Sequence, residues 1–358
     1  MTDRITLLNE VWHLAEEYSK TKNHWHDQIL FDLAIKKQQT LDFKRKAFAG
    51  SNSVEVCLID DPPNHSCIAE EPPSRTRIKL TELEKYIEEV NVHNDYFKIL
   101  IITNNTIAKL EPNFIHRKIE TKHNLFLVVH DYDSHHWATM STRCAILADL
   151  YVPAHYAAPD YLLHFLPYPL CSVPIGTILW PRAFLIKHIN QIIDAKRPEV
   201  IAGYFSLYQK FTLRNKQIMT FHNHFKSVTF VDTNGYIKKS EEEKLDQWLA
   251  AKIQLIIPVG LDIPIRFFDA LATGALPAVP IWLVNDLDRM GIPPEFYVSY
   301  SLSDLVHPEK LAVDWECKFD KLGPKGITDR VLYAISKLHG DKQVDKIQTI
   351  ALKLLKSH

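Results

Sequence analysis

Continuous apolar runs alternate with amphipathic segments in the first half of the chain. VEVCLID (54–60), FKILIIT (97–103) and NLFLVVH (124–130) are the kind of run found in strands of a parallel sheet that is covered on both faces. Residues 4–18 and about 25–46 instead place apolar side chains at helical spacing among many charges. The pattern predicts buried parallel strands with helices on either side.

From Pro181 onwards the alternation is more regular. Helices and strands are expected in this order: AFLIKHINQIIDAK (183–196), EVIAGYF (199–205), RNKQIMTFHNHF (214–225), SVTFVD (227–232), SEEEKLDQWLAAK (240–252), IQLIIPVG (253–260), then the helix and strand of PIRFFDALATGALPAVP (264–280). Such alternation is typical of βαβ units that build a parallel sheet. Two further helices, 327–340 and 341–356, are predicted to follow.

The length and the pattern together predict an α/β protein with two domains. A chain of 358 residues is longer than one ordinary core usually needs. We expect an N-terminal α/β domain at 1–180 and a C-terminal α/β domain at 181–330. The C-terminal helices at 331–358 are expected to cross back over both.

Composition excludes several classes of protein. A net charge of −1 leaves no basic field for nucleic acid. The ten glycines form neither a G-x-G-x-x-G nor a G-x-x-x-x-G-K loop. The five cysteines are scattered without a C-x-x-C pair, which argues against a disulfide framework or a zinc ribbon. Without a signal-peptide pattern or a long apolar window, a cytoplasmic location is expected.

Candidate sites follow from the loops after the strands. In open α/β sheets, ligands bind beyond the carboxyl ends of the strands. This rule selects four segments: HDYDSHHW (130–137), GYFSLYQKFTLRN (203–215), DTNGY (232–236) and GLDIPIRFFDAL (260–271). The last three belong to consecutive βα units, so their loops are expected to converge at one edge.

The segment PIRFFDALATGALP (264–277) places a charged pair on a short helix. Pro264 suits the first helical turn, and Gly274 is expected to end the helix. Arg266 and Asp269 lie at i, i+3, close to the free N–H groups of the first turn. A nucleotide phosphate is favoured there, and a carboxylate can accept from ribose hydroxyls. The alternative is a surface ion pair on an ordinary helix.

The run P-x-R-F-F-D-A-L-A-T-G-A-L-P-A-V-P resembles the donor-binding signature of GT-B glycosyltransferases, especially the exostosin-like ones. The resemblance implies two Rossmann-like domains, with Arg266 near phosphate and Asp269 near the ribose of a sugar nucleotide. Most family members have Glu where this chain has Asp269. The segment 203–218 is similar to a GT-B strand, glycine and basic residue before the next helix. That similarity gives three further donor-binding candidates: Gly203, Lys210 and Arg214.

Asp232 ends the apolar run SVTFVD, so its carboxylate is expected at the carboxyl edge of the sheet. One interpretation is an Asx-turn or a helix cap. Another is a nucleophile that forms a glycosyl-enzyme intermediate and gives net retention after two displacements. A GT-B variant with Asp in this setting resembles the retaining β-Kdo transferases of bacterial O-antigen synthesis, which use CMP-β-Kdo. That resemblance implies that Asp232 is the nucleophile and that Arg266 meets a phosphate or the Kdo carboxylate.

The stretch VDTNG has a second, weaker likeness. It is similar to the Asp-x-Asp-Gly-Thr loop of phosphotransferases with an aspartyl nucleophile. That loop needs a second acid two residues after the first, and this chain has Asn234 there. In the glycosyltransferase interpretation, Asn234 is a donor-binding candidate instead.

The segment HDYDSHHW contains three histidines and two aspartates within seven residues. Histidine and carboxylate together suit zinc or iron, but neither an H-x-H-x-D-H nor an H-E-x-x-H spacing is present. We expect this loop to line the acceptor side of the cleft, with His135 or His136 as the base on the acceptor hydroxyl. A solvated polar loop is the alternative.

These features predict a glycosyltransferase that needs no metal or other cofactor and moves a sugar from a nucleotide-sugar donor to a saccharide acceptor. The most specific expectation is retaining β-Kdo transfer from CMP-β-Kdo to a bacterial surface polysaccharide. The alternatives are an exostosin-like hexosyl or hexuronosyl transferase using a UDP or GDP sugar, and a non-catalytic carbohydrate- or nucleotide-binding module within a larger synthase. The Lys-rich segment 344–358 is expected to pack on the first domain or to touch an anionic membrane.

Overall fold

The computed structural model describes residues 24–60, 76–90, 95–110, 118–119, 122–131, 141, 144–145, 147–156, 172–176, 178, 180–232, 239–260 and 262–357. The side chains of residues 24–34 and of Asp60, Asp232 and Asp341 are outside this description. The helix predicted at 4–18 and the candidates His135, His136 and Asn234 also lie outside it.

The first sheet has five parallel strands in the order β2-β1-β3-β4-β5. They are β1 Ser53–Asp60, β2 Thr76–Lys79, β3 Tyr96–Thr103, β4 Leu125–Asp131 and β5 Leu150–Pro153. The three strands predicted from apolar runs are confirmed as β1, β3 and β4. The sequence pattern missed β2 and β5, because strands of four residues are too short to show either alternation or a continuous run.

The second sheet also has five parallel strands, in the order β10-β9-β8-β6-β7. They are β6 Glu199–Leu207, β7 Val228–Asp232, β8 Ala251–Leu255, β9 Leu276–Pro280 and β10 Val298–Tyr300. Counted along the chain, both sheets therefore have the doubly wound order 2-1-3-4-5. The prediction for β8 extended too far, to Gly260; Pro258 has no N–H with which to continue the ladder.

Helices cover the faces of both sheets. Among the described residues they are α1 His24–Ala49, α2 Leu83–Glu89, α3 Asn104–Lys109, α4 Arg182–Lys187, α5 Ile189–Ile193, α6 Thr212–His224, α7 Glu241–Leu249, α8 Ile265–Ala272, α9 Val284–Arg289, α10 Pro308–Tyr333 and α11 Gly340–Lys356. The start of α7 shows why these segments are helical. Ser240 accepts from the N–H of Glu243, whose carboxylate accepts from the N–H of Ser240, so two free donors are satisfied reciprocally.

The long helix α10 was predicted only in its second half. Gly323 interrupts it at φ 58°, and Pro324 follows, so the pair resembles a helix end in the sequence. Both halves nevertheless bury side chains in the core of the second sheet, Trp315 and Phe319 from the first half and Val331 from the second. Gly323 therefore separates two helical halves of α10 that pack against the same core.

The C-terminal helices pack across both sheets, as predicted. Helix α10 covers the second sheet, whereas α11 returns to the first. Four residues of α11 join the core of the first sheet: Val344, Ile347, Ala351 and Leu355. Arg45 of α1 donates to the carbonyl of Leu354 at 3.2 Å. The α/β fold class, with two sheets and crossing C-terminal helices, is thereby confirmed.

The outer face of α11 carries four exposed lysines at helical spacing: Lys342, Lys346, Lys353 and Lys356. Contact of this face with an anionic membrane stays a prediction. None of the helices within the described ranges combines the length and the apolar character that crossing a bilayer demands.

Helix α8 ends in a Schellman motif. Gly274 has φ 75°, its N–H bonds to the carbonyl of Leu271, and the N–H of Ala275 bonds to the carbonyl of Ala270. This confirms Gly274 as the residue that terminates the helix. A Cβ at Gly274 would lie 2.6 Å from a methyl carbon of Ile327, so lack of space also favours glycine.

Two buried arginines hold the carbonyl groups around this helix end. Arg330 is 0% exposed and donates from Nε and Nη2 to the carbonyl of Gly274, at 3.2 and 2.7 Å. Arg197 donates to three carbonyls, those of Ile192, Ala251 and Thr273. Both guanidinium groups lie over the ring of Phe319. Burial lowers the pKa of Arg330 to about 9 and of Arg197 to about 10, so both are charged at neutral pH.

We predict that Arg330→Lys lowers the free energy of unfolding by about 1–3 kcal/mol, because an ammonium group cannot reproduce the two bonds from one planar fork to Gly274. Urea unfolding measures the loss. The control is Lys325→Ala, at an exposed position of the same helix, which should change stability by less than about 0.5 kcal/mol. Equal stability of Arg330→Lys and the wild type would contradict the anchoring role.

Candidate functional site

The strand order of the second sheet places a crevice between the ends of β6 and β8. Chain connections leave these neighbouring strands towards opposite sides, so their carboxyl ends are not closed over by one loop. Residues 208–211 follow β6, and residues 256–260 and 262–264 follow β8. We call the space that these two loops border the switch-point crevice. It is the position at which ligands bind in open α/β sheets.

Arg214 bridges the two strands at this crevice. Its Nη1 donates to the carbonyl of Ser206 in β6 at 2.7 Å, and its Nε donates to the carbonyl of Ile257 after β8 at 3.3 Å. The side chain is 9% exposed. Its Nη2 has no hydrogen-bond partner among the residues that the structure describes. The guanidinium group is therefore fixed in place with donors left over.

A second arginine lies beside the first. The guanidinium carbons of Arg214 and Arg266 are 5.7 and 5.4 Å from the centroid of the same buried ring, that of Phe205. Burial, and after it the charge of Arg266, lowers the pKa of Arg214 to about 10. Arg214 is therefore protonated at neutral pH, and the two neighbouring cations favour an anion at this point.

Helix α8 presents Arg266 in its first turn and Asp269 in its second. Phe267, Phe268 and Leu271 are buried in the core, as predicted. Arg266 is half-buried and Asp269 is 7% exposed, so neither lies on an open surface. This shelter disfavours the alternative of a solvated surface pair. The predicted contacts of Arg266 with phosphate and of Asp269 with ribose stay predictions.

Asp262 is a buried carboxylate that the sequence analysis missed. It lies between β8 and α8, is 1% exposed, and its charge acts on Arg214. The sequence signal that could have identified Asp262 was an acidic residue within an apolar stretch that ends at Pro264. The charge of Asp262 beside the crevice offsets part of the positive charge of the two arginines.

Lys210 and Gly203 occupy different parts of the β6 unit. The side chain of Asn215 bonds to both the N–H and the carbonyl of Tyr208, which fixes the loop that carries the exposed Lys210. Gly203 lies inside β6, opposite Val228. A Cβ there would lie 2.5 Å from the ring of Phe205, so this glycine makes room for the ring that supports both arginines. Donor contacts of Lys210 and Gly203 stay predictions.

Asp232 is the last residue of β7, the edge strand next to β6. Its backbone pairs in register with Leu207, the last residue of β6. The expected position at the carboxyl edge of the sheet is thus confirmed for the backbone. The role of its side chain as a nucleophile stays a prediction, as do the roles of His135, His136 and Asn234.

The start of HDYDSHHW is buried at the end of β4. His130 makes a 3.1 Å hydrogen bond through Nε2 with the carbonyl of Ile175, and burial lowers the pKa of His130. Asp131 accepts from the hydroxyl groups of Ser141 at 2.6 Å and Tyr151 at 2.7 Å. Across the described ranges, no group of three or more His, Cys, Asp or Glu is placed to hold a metal.

His155 follows β5 at the same edge of the first sheet. It is 5% exposed, and burial lowers its pKa to about 4. The sequence analysis missed it because the preceding strand is too short to be recognised. A neutral imidazole is thus enclosed at the carboxyl edge of the first sheet. The loop that is predicted to line the acceptor side of the cleft follows β4 at the same edge.

We predict that stability falls with acid and that His155 carries part of the loss. An unfolded histidine titrates near its ordinary pKa of about 6.5, whereas folded His155 stays neutral down to about pH 4. Its contribution is therefore complete above about pH 6.5 and is lost as the pH falls towards 4, by about 2 kcal/mol between pH 7 and 5. Urea unfolding at both pH values should show a smaller loss for His155→Asn. His307→Asn, at an exposed histidine, should follow the wild type.

The backbone, rather than the sequence, relates this chain to known proteins. No protein-family profile and no curated protein matches it. The N-terminal domain of trehalose-6-phosphate phosphatase from Candida albicans superposes with a TM-score of 0.50 at 9% identity, over 85% of this chain and 97% of that one. Sucrose-phosphate synthase from Thermosynechococcus elongatus matches with a TM-score of 0.44 at 13% identity, over 88% and 92%. A glycosyltransferase from Rickettsia africae matches with a TM-score of 0.41 at 11% identity, over 86% and 100%.

The chain has a GT-B-like fold. Identities this low establish the fold alone. The GT-B expectation is therefore confirmed at the level of fold, whereas the donor-binding role of the segment 264–280 and the exostosin-like and β-Kdo refinements stay predictions. The two doubly wound sheets are the part of the structure that this likeness rests on.

Proposed function

We propose that this protein is a glycosyltransferase whose donor is a nucleotide sugar bound at the switch-point crevice. The observation that carries the proposal is the fixed guanidinium group of Arg214, which bridges β6 and β8 and lies beside Arg266. A GT-B-like fold with a preorganised cation at this point suits a ligand with phosphate at one end.

The two arginines would serve chemistry as well as binding. When the bond between the sugar and the nucleotide breaks, negative charge develops on the leaving phosphate. Cations that backbone carbonyls and an aromatic ring already hold in place do not have to move when this charge develops. Arg214 has such fixing bonds, and Arg266 lies over the same ring. Both residues would therefore stabilise the leaving group, and this role requires no metal.

Asp269 and Asp262 would differ in role. Asp269 is in the second turn of α8, within one turn of Arg266, and would accept hydrogen bonds from the ribose. Asp262 would keep Arg214 in place rather than touch the donor, since it is 1% exposed. The base on the acceptor hydroxyl would come from His135 or His136, on the loop after β4.

The finer proposal is retaining transfer of β-Kdo from CMP-β-Kdo. The carboxylate of Asp232 would attack the anomeric carbon, and CMP would leave with the electron pair of the broken C–O bond. The acceptor hydroxyl would then attack the same carbon, lose its proton to the base, and release the carboxylate. The support is the backbone position of Asp232 at the carboxyl edge, level with the end of β6.

We predict that one nucleotide of a panel of CMP, UDP and GDP stabilises the protein, measured by thermal shift and calorimetric titration. Arg214→Lys should weaken that nucleotide by at least about 10-fold, because lysine cannot keep the planar bonds to Ser206 and Ile257 while donating to phosphate. Lys216→Ala, at an exposed position of the same helix, is the control and should bind as the wild type does. If none of the three nucleotides binds, the proposed transferase function is wrong and the non-catalytic carbohydrate-binding alternative is favoured.

We predict that Asp232→Asn lowers sugar transfer by more than about 10³-fold while nucleotide binding persists, because the amide is a poor nucleophile. Transfer is assayed with CMP-β-Kdo, UDP sugars and GDP sugars. Mass spectrometry of the wild type with the active donor should show one sugar added at Asp232. Full activity of the variant would exclude the nucleophile. A UDP or GDP sugar as the active donor would favour the exostosin-like alternative over Kdo transfer.

A further inference from the structure

The chain passes from the core of the first sheet to the core of the second within three residues. Residues 172–175 run along the edge of β5, where the N–H of Ile175 bonds to the carbonyl of Pro153 at 3.0 Å. Ile175 is buried in the first core and Ile178 in the second. Gly176 lies between them along the chain.

Gly176 lies directly against helix α8. A Cβ built on Gly176 would be 2.0 Å from the nearest ring atom of Phe268. Phe268 is 1% exposed, and its ring packs edge-on against that of Phe267 at 5.3 Å between centroids. A side chain at position 176 would overlap this buried ring, whereas glycine lets the backbone come this close.

The returning chain is bonded to the same junction. The N–H of Ile178 donates to the carbonyl of Leu338 at 3.3 Å, just before α11 returns to the first core. On the other side, the carbonyl of Ile175 is held by His130 of β4. The two passages between the cores are thus joined by a hydrogen bond two residues after Gly176, the residue that lies against Phe268.

We infer that Gly176 is a positioning residue that couples the junction between the two sheets to helix α8. The same helix carries Arg266 in its first turn, and its far end is bound to Arg330 through Gly274. Force on Arg266 is therefore transmitted through a short, anchored helix to Phe268 and from there to Gly176. A ligand at the switch-point crevice favours one angle between the sheets, and that angle in turn favours the ligand. The ligand's identity rests on the proposed function, whereas the packing contact does not.

A calorimetric double-variant cycle tests the contact without any ligand. Gly176→Ala should lower the melting temperature by about 3 °C or more, because the added methyl group overpacks against the ring. Phe268→Leu removes the ring atoms that the methyl group would meet. In that background, Gly176→Ala should have no further effect. Gly50→Ala is the control for a glycine substitution, since a Cβ there meets nothing closer than 3.6 Å. Independent, additive losses in the cycle would overturn the inference.

Small-angle scattering tests the coupling. With the nucleotide that stabilises the wild type, the radius of gyration of the wild type should fall, and that of Gly176→Ala should stay constant although the nucleotide still binds. Arg289→Ala is the control, because it removes a contact between the units that does not involve α8. The guanidinium carbon of Arg289 lies 3.6 Å from the centroid of the Tyr156 ring. The radius of gyration of this variant should still fall when the nucleotide binds. Equal compaction of Gly176→Ala and the wild type would overturn the coupling. If no nucleotide binds, the proposed function is wrong, and the calorimetric cycle alone decides the contact.

Discussion

The candidate site depends on the anchoring of one short helix, α8, at its carbonyl end. There, the guanidinium group of Arg330 holds the carbonyl of Gly274, and that of Arg197 holds the carbonyl before it. Cations are favoured at this end of a helix, where unsatisfied carbonyls carry partial negative charge. A helix of eight residues would be marginal by itself. Fixed in this way, it can hold Arg266 at a set distance from β6.

The arginines of the second sheet fall into two kinds, and burial separates them. Arg197 and Arg330 are 2% and 0% exposed, lie against Phe319, and meet backbone carbonyls. No ligand reaches them from solvent. Arg214 also meets two carbonyls, but it borders a crevice at the opposite edge of the sheet. Arginine thus holds backbone at one edge of the sheet and, in the proposed function, receives an anion at the other.

The sequence predicted the parts of the fold that local pattern controls. Long apolar runs gave most of the strands, and Gly274 marked the end of α8 because a left-handed residue needs no tertiary partner to favour glycine. Strands such as β10, of three residues, carry too little pattern. The first half of α10 was not predicted, whereas the end that Gly323 and Pro324 indicate is a real break between its two halves. Burial of Asp262 could not be predicted, since it depends on strands distant in sequence.

The return of α11 to the first sheet makes that unit discontinuous along the chain. The hydrophobic cluster on one face of the first sheet is incomplete until Val344, Ile347 and Leu355 join it, and these residues are translated after the whole second sheet. During synthesis on the ribosome, the core of the second sheet can therefore be completed first. Until α11 joins it, apolar surface of the first sheet stays exposed. The order of completion is the reverse of the order of synthesis. A circular permutation that moves α11 in front of α1 would restore the usual order and shorten the period in which that surface invites aggregation.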